Sequence, residues 1–375
     1  MKTKLFFLIG LFFITINVYS QDENFYVFLC FGQSNMEGQG SIAEQDKNVD
    51  SRFQVMEAVT CSNLRRTMGK WYNAVPPLTR CYSGLSPADY FGRTMVDSLP
   101  SNIKIGVVNV SVAGCKIELF DKNDYQAYAS TAASWMKNII NEYGGNPYER
   151  LVEIAKLAQK DGVIKGILLH QGESNVGDNQ WPSKVKRIYN NLMADLSLDP
   201  AKVPLLAGEV VHADQGGVCA SMNSIIAKLP QSVPNSYVIS SSGCKDTTDN
   251  LHFNSAGYRE LGKRYAVKML SLLGAPITSI QSQGQTKYNG YELEQNYPNP
   301  FNPETKISYY VPRTSYINLK VHNLLGQEVA TLFEGNCYQG NYETTFDGTN
   351  LTSGVYFYRL TANDFVETKK LLLFK

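Results

Sequence analysis

Short apolar runs recur through the first two thirds of the chain, at 25–31, 105–112, 163–169, 204–211 and 236–240, each closed by polar or glycine-containing sequence. They are continuous rather than alternating, which is the pattern of strands buried on both faces. Between them apolar positions fall at helical spacing, as in 148–160 with Leu151, Ile154, Ala155 and Ala158, and in 184–196. Ser86-Pro87-Ala88-Asp89 supplies an N-cap, a first-turn proline and an acidic third residue, and Asn254-Ser255 caps a last helix over 256–272. Strand alternating with helix predicts an α/β fold built on a doubly wound parallel sheet.

The pattern changes after Gly274. Ser279-Ile-Gln-Ser-Gln-Gly-Gln285 reads as a linker, and beyond Tyr297-Pro-Asn-Pro-Phe-Asn-Pro303 the period becomes that of strands, at 305–311, 316–322, 327–332, 342–346, 355–361 and 365–374. This predicts a small C-terminal antiparallel β-sandwich. The expected organisation is a leader over 1–20, the α/β domain over 21–273, a linker over 274–295 and the sandwich over 296–375.

In an open α/β sheet, ligands bind beyond the carboxyl ends of the strands. The first strand breaks there into Gly32-Gln33-Ser34-Asn35, a sharp turn that would hold a serine hydroxyl exposed with little freedom to lose. The second ends at Gly114, the third at His170-Gln171-Gly172-Glu173, and Asp249-Asn-Leu-His252 follows the fifth. Ser34, His252 and Asp249 have the side chains of nucleophile, base and orienting acid. Asp246 is a nearby spare acid. Glu173 is assigned to the support of the Gln171 turn, with a hydrogen bond to the histidine in place of Asp249, or contact with substrate, as its alternative roles. Only four histidines are present; His170 reads as structural, His212 as a residue lining the cleft, and His322 lies in the C-terminal domain.

These segments resemble the SGNH hydrolases, specifically the sialate O-acetylesterase-like group that includes acetylxylan esterases of carbohydrate esterase family six. The resemblance covers about residues 24–272 and implies a three-layer αβα, flavodoxin-like fold. It makes Ser34 the nucleophile, His252 the general base and Asp249 its partner, with the amides of Ser34 and Gly114 and the Gln171 side chain as the oxyanion hole. Many SGNH members carry asparagine in the third block, whereas His170-Gln171-Gly172-Glu173 is the form of the sugar acetylesterase branch. The implied activity is removal of O-acetyl groups from acetylxylan or O-acetylated sialic acid through an acetyl-enzyme, with no cofactor. Trp71, Tyr72, Trp135 and Trp181 are the aromatic residues that could meet a sugar ring. The rival readings are a catalytically idle carbohydrate-binding surface protein and a lipase-like esterase for longer acyl chains.

The C-terminal segment resembles the sorting domain of the type IX secretion system in Tyr297-Pro-Asn-Pro, Gly326-Gln-Glu-Val329 and Gly354-Val-Tyr-Phe-Tyr358. It implies the secretion machinery as a partner and a secreted or cell-surface protein. A sugar-binding module using Tyr309, Tyr310, Tyr356 and Tyr358 is the competing reading.

Composition adds limits. Of the 375 residues 43% are hydrophobic and 18% charged, and the net charge of +1 offers no field for nucleic acid or an anionic membrane. Lys2 and Lys4 precede an apolar stretch over 5–18 and small residues near Ser20, the pattern of a cleaved signal peptide giving a mature start at Gln21, too short for stable membrane insertion. No His-Glu-x-x-His or Cys-x-x-Cys occurs, so no metal is expected. Among seven cysteines, Cys61 with Cys81 and Cys219 with Cys244 are the candidate disulfides, because both pairs lie in loop-like sequence. Cys30 and Cys115 belong to buried runs.

Overall fold

The continuous apolar runs are strands covered on both sides, as their lack of alternation requires. The computed structural model describes residues 21–274, 291–313, 315–337 and 340–375. The expected leader and most of the expected linker lie outside the described residues. The chain forms two compact units, one ending at Ile280 and the other beginning at Gln281.

The first unit holds a seven-stranded sheet made of β1 (Asp22–Gly32), β2 (Phe53–Met56), β3 (Trp71–Asn73), β4 (Lys104–Ser111), β5 (Gly162–His170), β6 (Leu205–Gly208) and β7 (Ser236–Ile239), in the order β3-β2-β4-β1-β5-β6-β7. All neighbours are parallel except β2 and β3. The sheet is therefore parallel-dominated with an antiparallel edge. The helices are α1 (Ser34–Glu37), α2 (Pro87–Ser98), α3 (Tyr125–Thr131), α4 (Ser134–Glu142), α5 (Pro147–Ala158), α6 (Trp181–Asp195), α7 (Asn223–Ile226), α8 (Leu229–Ser232) and α9 (Ser255–Leu272).

Alternate residues of β1 serve two cores. Val27, Leu29 and Phe31 pack with Leu151 and Ile154 of α5 and Val185 and Ile188 of α6. Phe28 and Cys30 pack on the other face with Phe91 and Met95 of α2 and Leu261 and Tyr265 of α9. This is the doubly wound sheet the pattern predicted, in the three-layer αβα arrangement the family resemblance implied. The predicted helix starts hold because their caps form: the Asp89 carboxylate accepts from the Ser86 amide at 2.8 Å, and Asn254 accepts from the amides of Ala256 and Gly257.

From β1 the chain first places β2, β3 and β4 on one side, with β4 innermost, and then β5, β6 and β7 in order on the other. The reversal falls at β1, where a crevice opens between the loops after β4 and β5. Ser34, Gly114 and Gln171 follow the three strands that meet there.

One of the two expected disulfides is present. Cys61 and Cys81 are bonded, whereas Cys219 and Cys244 are free. The second pairing fails because Cys244 is buried in the core on the α9 face and Cys219 packs against the core on the opposite face. Burial pushes the Cys244 thiol up to about 12.

The second unit pairs two antiparallel sheets. β8 (Glu292–Leu293), β9 (Glu304–Val311) and β12 (Gly340–Asp347) form one in the order β12-β9-β8. β10 (Ser315–His322), β11 (Glu328–Cys337), β13 (Gly354–Ala362) and β14 (Phe365–Leu373) form the other in the order β11-β10-β13-β14. Ile307, Leu319, Val321 and Leu360 share its core with Tyr309, Tyr356 and Tyr358. Three of the four tyrosines considered as a sugar platform are thus core residues, and the Tyr358 hydroxyl donates to the Glu294 carbonyl at 2.6 Å.

Because each unit has its own core, a chain ending at Leu273 should fold and keep its turnover on a small acetate within about twofold. Circular dichroism and initial rates on the shortened chain check this. Loss of the cooperative thermal transition would show that the first unit depends on the second. Among the described residues no helix is long and apolar enough to cross a membrane.

Candidate active site

Ser34 is placed by a close approach of two strand ends. A side chain on Gly32 would put its Cβ 2.1 Å from the His170 carbonyl oxygen, at a φ of +152°, so glycine alone lets β1 turn there against β5. The Gln33 amide then donates to that same carbonyl at 3.0 Å, and Ser34 begins the short helix α1. The Ser34 amide, first in its helix, has no intrahelical acceptor.

His252 arrives from the segment after β7. Its Nε2 lies 2.9 Å from Ser34 Oγ, and its Nδ1 lies 2.7 Å from Asp249 Oδ2. The other Asp249 oxygen accepts from Thr247 Oγ1 at 2.5 Å and from the amides of Leu251 and His252 at 2.9 and 3.0 Å. Burial works against charge on this carboxyl, but the bonds from Thr247, His252 and Leu251 outweigh it and hold it well below the usual carboxylate range. Asp249 is therefore an anion on the imidazole nitrogen that faces away from Ser34. That arrangement can draw a proton from the serine hydroxyl and stabilise the imidazolium that results.

Asp246, the spare acid, makes no bond to His252; its carbonyl accepts from Asn254. Glu173 does not touch His252 either. Its Oε1 accepts from Asn35 Nδ2 at 2.5 Å. Asn35, fully buried, also donates to the Leu251 carbonyl at 3.0 Å, while its oxygen accepts from the Phe253 amide at 3.2 Å and the Tyr258 hydroxyl at 2.7 Å. One side chain thus joins the turn after β1, the turn after β5, the segment bearing His252 and helix α9. Sequence reasoning passed over Asn35, although its place beside Ser34 in a strand-end turn was the available signal.

A second buried group was also missed. The Glu37 carboxylate accepts from Arg80 Nε at 2.8 Å, from Gln39 at 3.1 Å and from the Ala113 amide. Burial pushes the Glu37 carboxyl up, and Arg80 opposes that. Glu37 thereby ties the turn bearing Ser34 to the loop bearing Gly114. Arg80 in turn is next to Cys81, so the disulfide anchors the loop that supplies it.

Gly114 has φ of +68°, and a Cβ there would lie 2.8 Å from the Trp135 ring. Its carbonyl accepts from Ser174 Oγ at 2.9 Å. Gln171 differs from expectation. Its side chain is buried, its Nε2 donates to Asn175 Oδ1 at 2.7 Å, Gln33 Oε1 at 3.0 Å and the Cys115 carbonyl at 3.2 Å, and it does not line the cleft. The amide expected at the oxyanion is committed to protein acceptors.

The cleft beside Ser34 has a volume of about 320 Å³ and includes Gln33, Gln39, Gly114, Trp135, Glu173 and His252 in its wall. Of the four aromatic candidates only Trp135 lines it, 53% exposed. Trp181 is fully buried and donates its indole N–H to Gln171 Oε1. Trp71 and Tyr72 sit on β3, the far edge of the sheet.

His212 is not in the cleft wall; its Nδ1 is 3.1 Å from Asp214. His170 is buried, bonds the Glu209 carbonyl at 2.9 Å and meets Phe253 edge-on at 5.7 Å; burial holds its pKa below the ordinary histidine value. The Cys115 thiol is buried and pushed well up by desolvation, which leaves it inert as a nucleophile. Among the described residues no group of three or more His, Cys, Asp or Glu side chains is placed to hold a metal ion.

A parallel-dominated αβα sheet with serine, glycine and histidine gathered at the carboxyl ends of its strands is the fold of the SGNH hydrolases. Residues 24–271 match the model of the carbohydrate esterase, sialic acid-specific acetylesterase family, and the chain belongs to that family. Residues 295–373 match the secretion system C-terminal sorting domain, which marks a secreted or cell-surface protein. A probable carbohydrate esterase of Arabidopsis thaliana, At4g34215, is 26% identical over 261 residues, covering 65% of this chain and 90% of that protein. Its crystal structure aligns over 67% of this chain and 99% of its own, with a TM-score of 0.51 and 22% identity. The structure of NanS aligns over 68% and 99%, with a TM-score of 0.49 and 15% identity.

Proposed function

We propose that the protein is a secreted serine esterase that removes O-acetyl groups from carbohydrate through an acetyl-enzyme. The observation that carries this reading is the chain from Asp249 through His252 to Ser34, with links of 2.7 and 2.9 Å, opening into a cleft. Ser34 Oγ attacks the acetyl carbonyl carbon while His252 Nε2 takes its proton and the carbonyl π electrons move onto oxygen. Collapse breaks the bond to the sugar oxygen, which leaves with the proton from His252. A water activated by the same nitrogen then attacks the acetyl-serine, releasing acetate and restoring the hydroxyl.

Two features favour a short acyl group on a sugar. Leu251 and Trp135 are the large apolar side chains of the cleft wall, too few to line a channel for a long acyl chain, and Trp135 offers a half-exposed indole face beside Gly114. Acetylxylan and O-acetylated sialic acid are the substrates to set against each other. Acetate release should exceed octanoate release by at least tenfold on matched aryl esters; the reverse order would point to a lipase-like enzyme. Trp135→Ala should raise KM for a sugar acetate by several-fold to about tenfold, the size of one aromatic contact, while leaving an aryl acetate nearly unchanged. An equal effect on both esters would remove Trp135 from sugar recognition.

A further inference from the structure

The fixed orientation of one side-chain amide in the cleft assigns a role that the Gln171 geometry leaves open. Gln33 is 2% exposed yet lines the cleft beside Ser34. Its Oε1 accepts from three N–H groups: Gln171 Nε2 at 3.0 Å, the Ser174 amide at 3.3 Å and the Gly172 amide at 3.4 Å. Donors on all three contacts determine which end of the amide is oxygen. Gln171 is itself oriented without ambiguity, because the Trp181 indole can only donate and does so to Gln171 Oε1. The order of donation therefore runs from Trp181 to Gln171 to Gln33. It leaves Gln33 Nε2 with no acceptor among the described residues, at the wall of the cavity that holds the nucleophile.

We infer that Gln33 Nε2 is the side-chain donor to the carbonyl oxygen of the acetyl group, completing with the Ser34 and Gly114 amides the site where negative charge develops. Gln171 is a positioning residue that acts through Gln33. The inference rests on the esterase reading above and replaces the donor expected from sequence. In the attack step the carbonyl π electrons settle on the oxygen that these N–H groups face, and no proton is transferred from them. A donor locked before substrate arrives needs no reorganisation when the charge forms, which is the condition under which such a bond is strongest.

The locking also explains why a turn after β5 spends three N–H groups on one oxygen. The Gly172 and Ser174 amides and the Gln171 side chain all belong to that turn, so the strand next to β1 fixes a side chain that β1 itself presents. The Gln33 backbone is held to β5 as well, through its bond to the His170 carbonyl.

The test uses the full chain and 4-nitrophenyl acetate, with active sites counted by the endpoint of fluorophosphonate labelling so that kcat is per competent Ser34. Gln33→Glu keeps an oxygen for the three N–H groups and puts a second oxygen where Nε2 stands. It should lower kcat by about 100- to 1,000-fold with KM changed less than about threefold. Affinity for phenylboronic acid, whose serine adduct is tetrahedral, should fall in parallel, a readout that a merely structural role would not move. Gln33→Met, of similar length and without a donor, gives the same reading should the new charge disturb the turn. A kcat per labelled site within about threefold of wild type in both Gln33 variants overturns the inference alone. A loss in Gln171→Met more than tenfold greater than in Gln33→Met also overturns it and returns the donor role to Gln171. Wild-type protein no faster than Ser34→Ala would defeat the esterase reading and this inference with it.

Discussion

Ser34→Ala should lower kcat for acetate release by on the order of a millionfold, since a serine nucleophile and its base act as a unit and losing either removes the covalent route. The residual rate should stay above that of water, because the amides of Ser34 and Gly114 and the cleft itself remain. His252→Ala should fall to a similar level, and the double variant should be no worse than either single one. Ser34→Ala should cost little stability: the hydroxyl makes one partly buried bond to His252, and removing it forfeits about 1 kcal/mol. Initial rates together with thermal midpoints check both halves of this expectation. A Ser34→Ala protein that keeps more than about a tenth of wild-type turnover would place the nucleophile elsewhere.

Much of the fold was legible because its signals are local. Residues 25–31 are apolar at every position, and a run this short, closed by Gly32 and rich in aromatic residues, marks a strand covered on both faces; Val27 and Phe28 indeed enter opposite cores. The helix starting at Pro87 was announced by its own cap, whose carboxylate closes onto Ser86. β2 and β3 were not legible. Strands of four and three residues carry too few positions for a period to show, and their pairing depends on β4 and on each other, far apart in sequence. Helices α3 and α4 lie in the stretch between β4 and α5 and were passed over as well. Their buried faces are small: α3 has no buried residue and α4 has Met136 and Ile140.

The site divides along the same line. Residues that stand at strand ends, such as Ser34, Gly114 and His252, could be picked out because an open sheet gathers its strand ends at one edge. What could not be read is which polar groups spend their bonds on the protein and which are left for substrate. Gln171 and Gln33 are chemically identical side chains, each at the end of a strand. Only the Trp181 indole, ten residues beyond Gln171 and brought in by α6, decides that Gln171 is oriented inward. Asn35 is a similar case. Its importance lies in four partners drawn from the turn after β5, the segment before α9, and α9 itself, none of which its own neighbourhood in sequence reveals.

Asp249→Asn should reduce kcat by roughly 10⁴-fold, whereas Glu173→Gln should stay within about tenfold of wild type. The difference follows from what each carboxylate touches. Asp249 faces His252 Nδ1 at 2.7 Å, and an amide N–H put there would favour the tautomer with its proton on Nε2, aimed at Ser34, where a lone pair is needed. Glu173 makes no bond to His252 and is tied to the segment bearing it through Asn35, and glutamine can still offer that amide an oxygen. The bonds from Thr247, His252 and Leu251 keep the Asp249 carboxyl ionised far into acid. Protonation of Asp249 therefore does not set the acid limb of the rate profile, and Asp249→Asn should lower the plateau without the loss being recovered at any pH. The stability effect has a defined sign. A carboxyl whose folded pKa lies below its unfolded value of about 3.9 stabilises the fold above that pH and loses the contribution as the pH falls towards the folded value. The gap in thermal midpoint between wild type and Asp249→Asn should accordingly be full at neutral pH and shrink below about pH 4. Rate profiles and melting curves of the two variants across that range give the answer. A larger kinetic loss in Glu173→Gln than in Asp249→Asn would move Glu173 into direct partnership with the histidine.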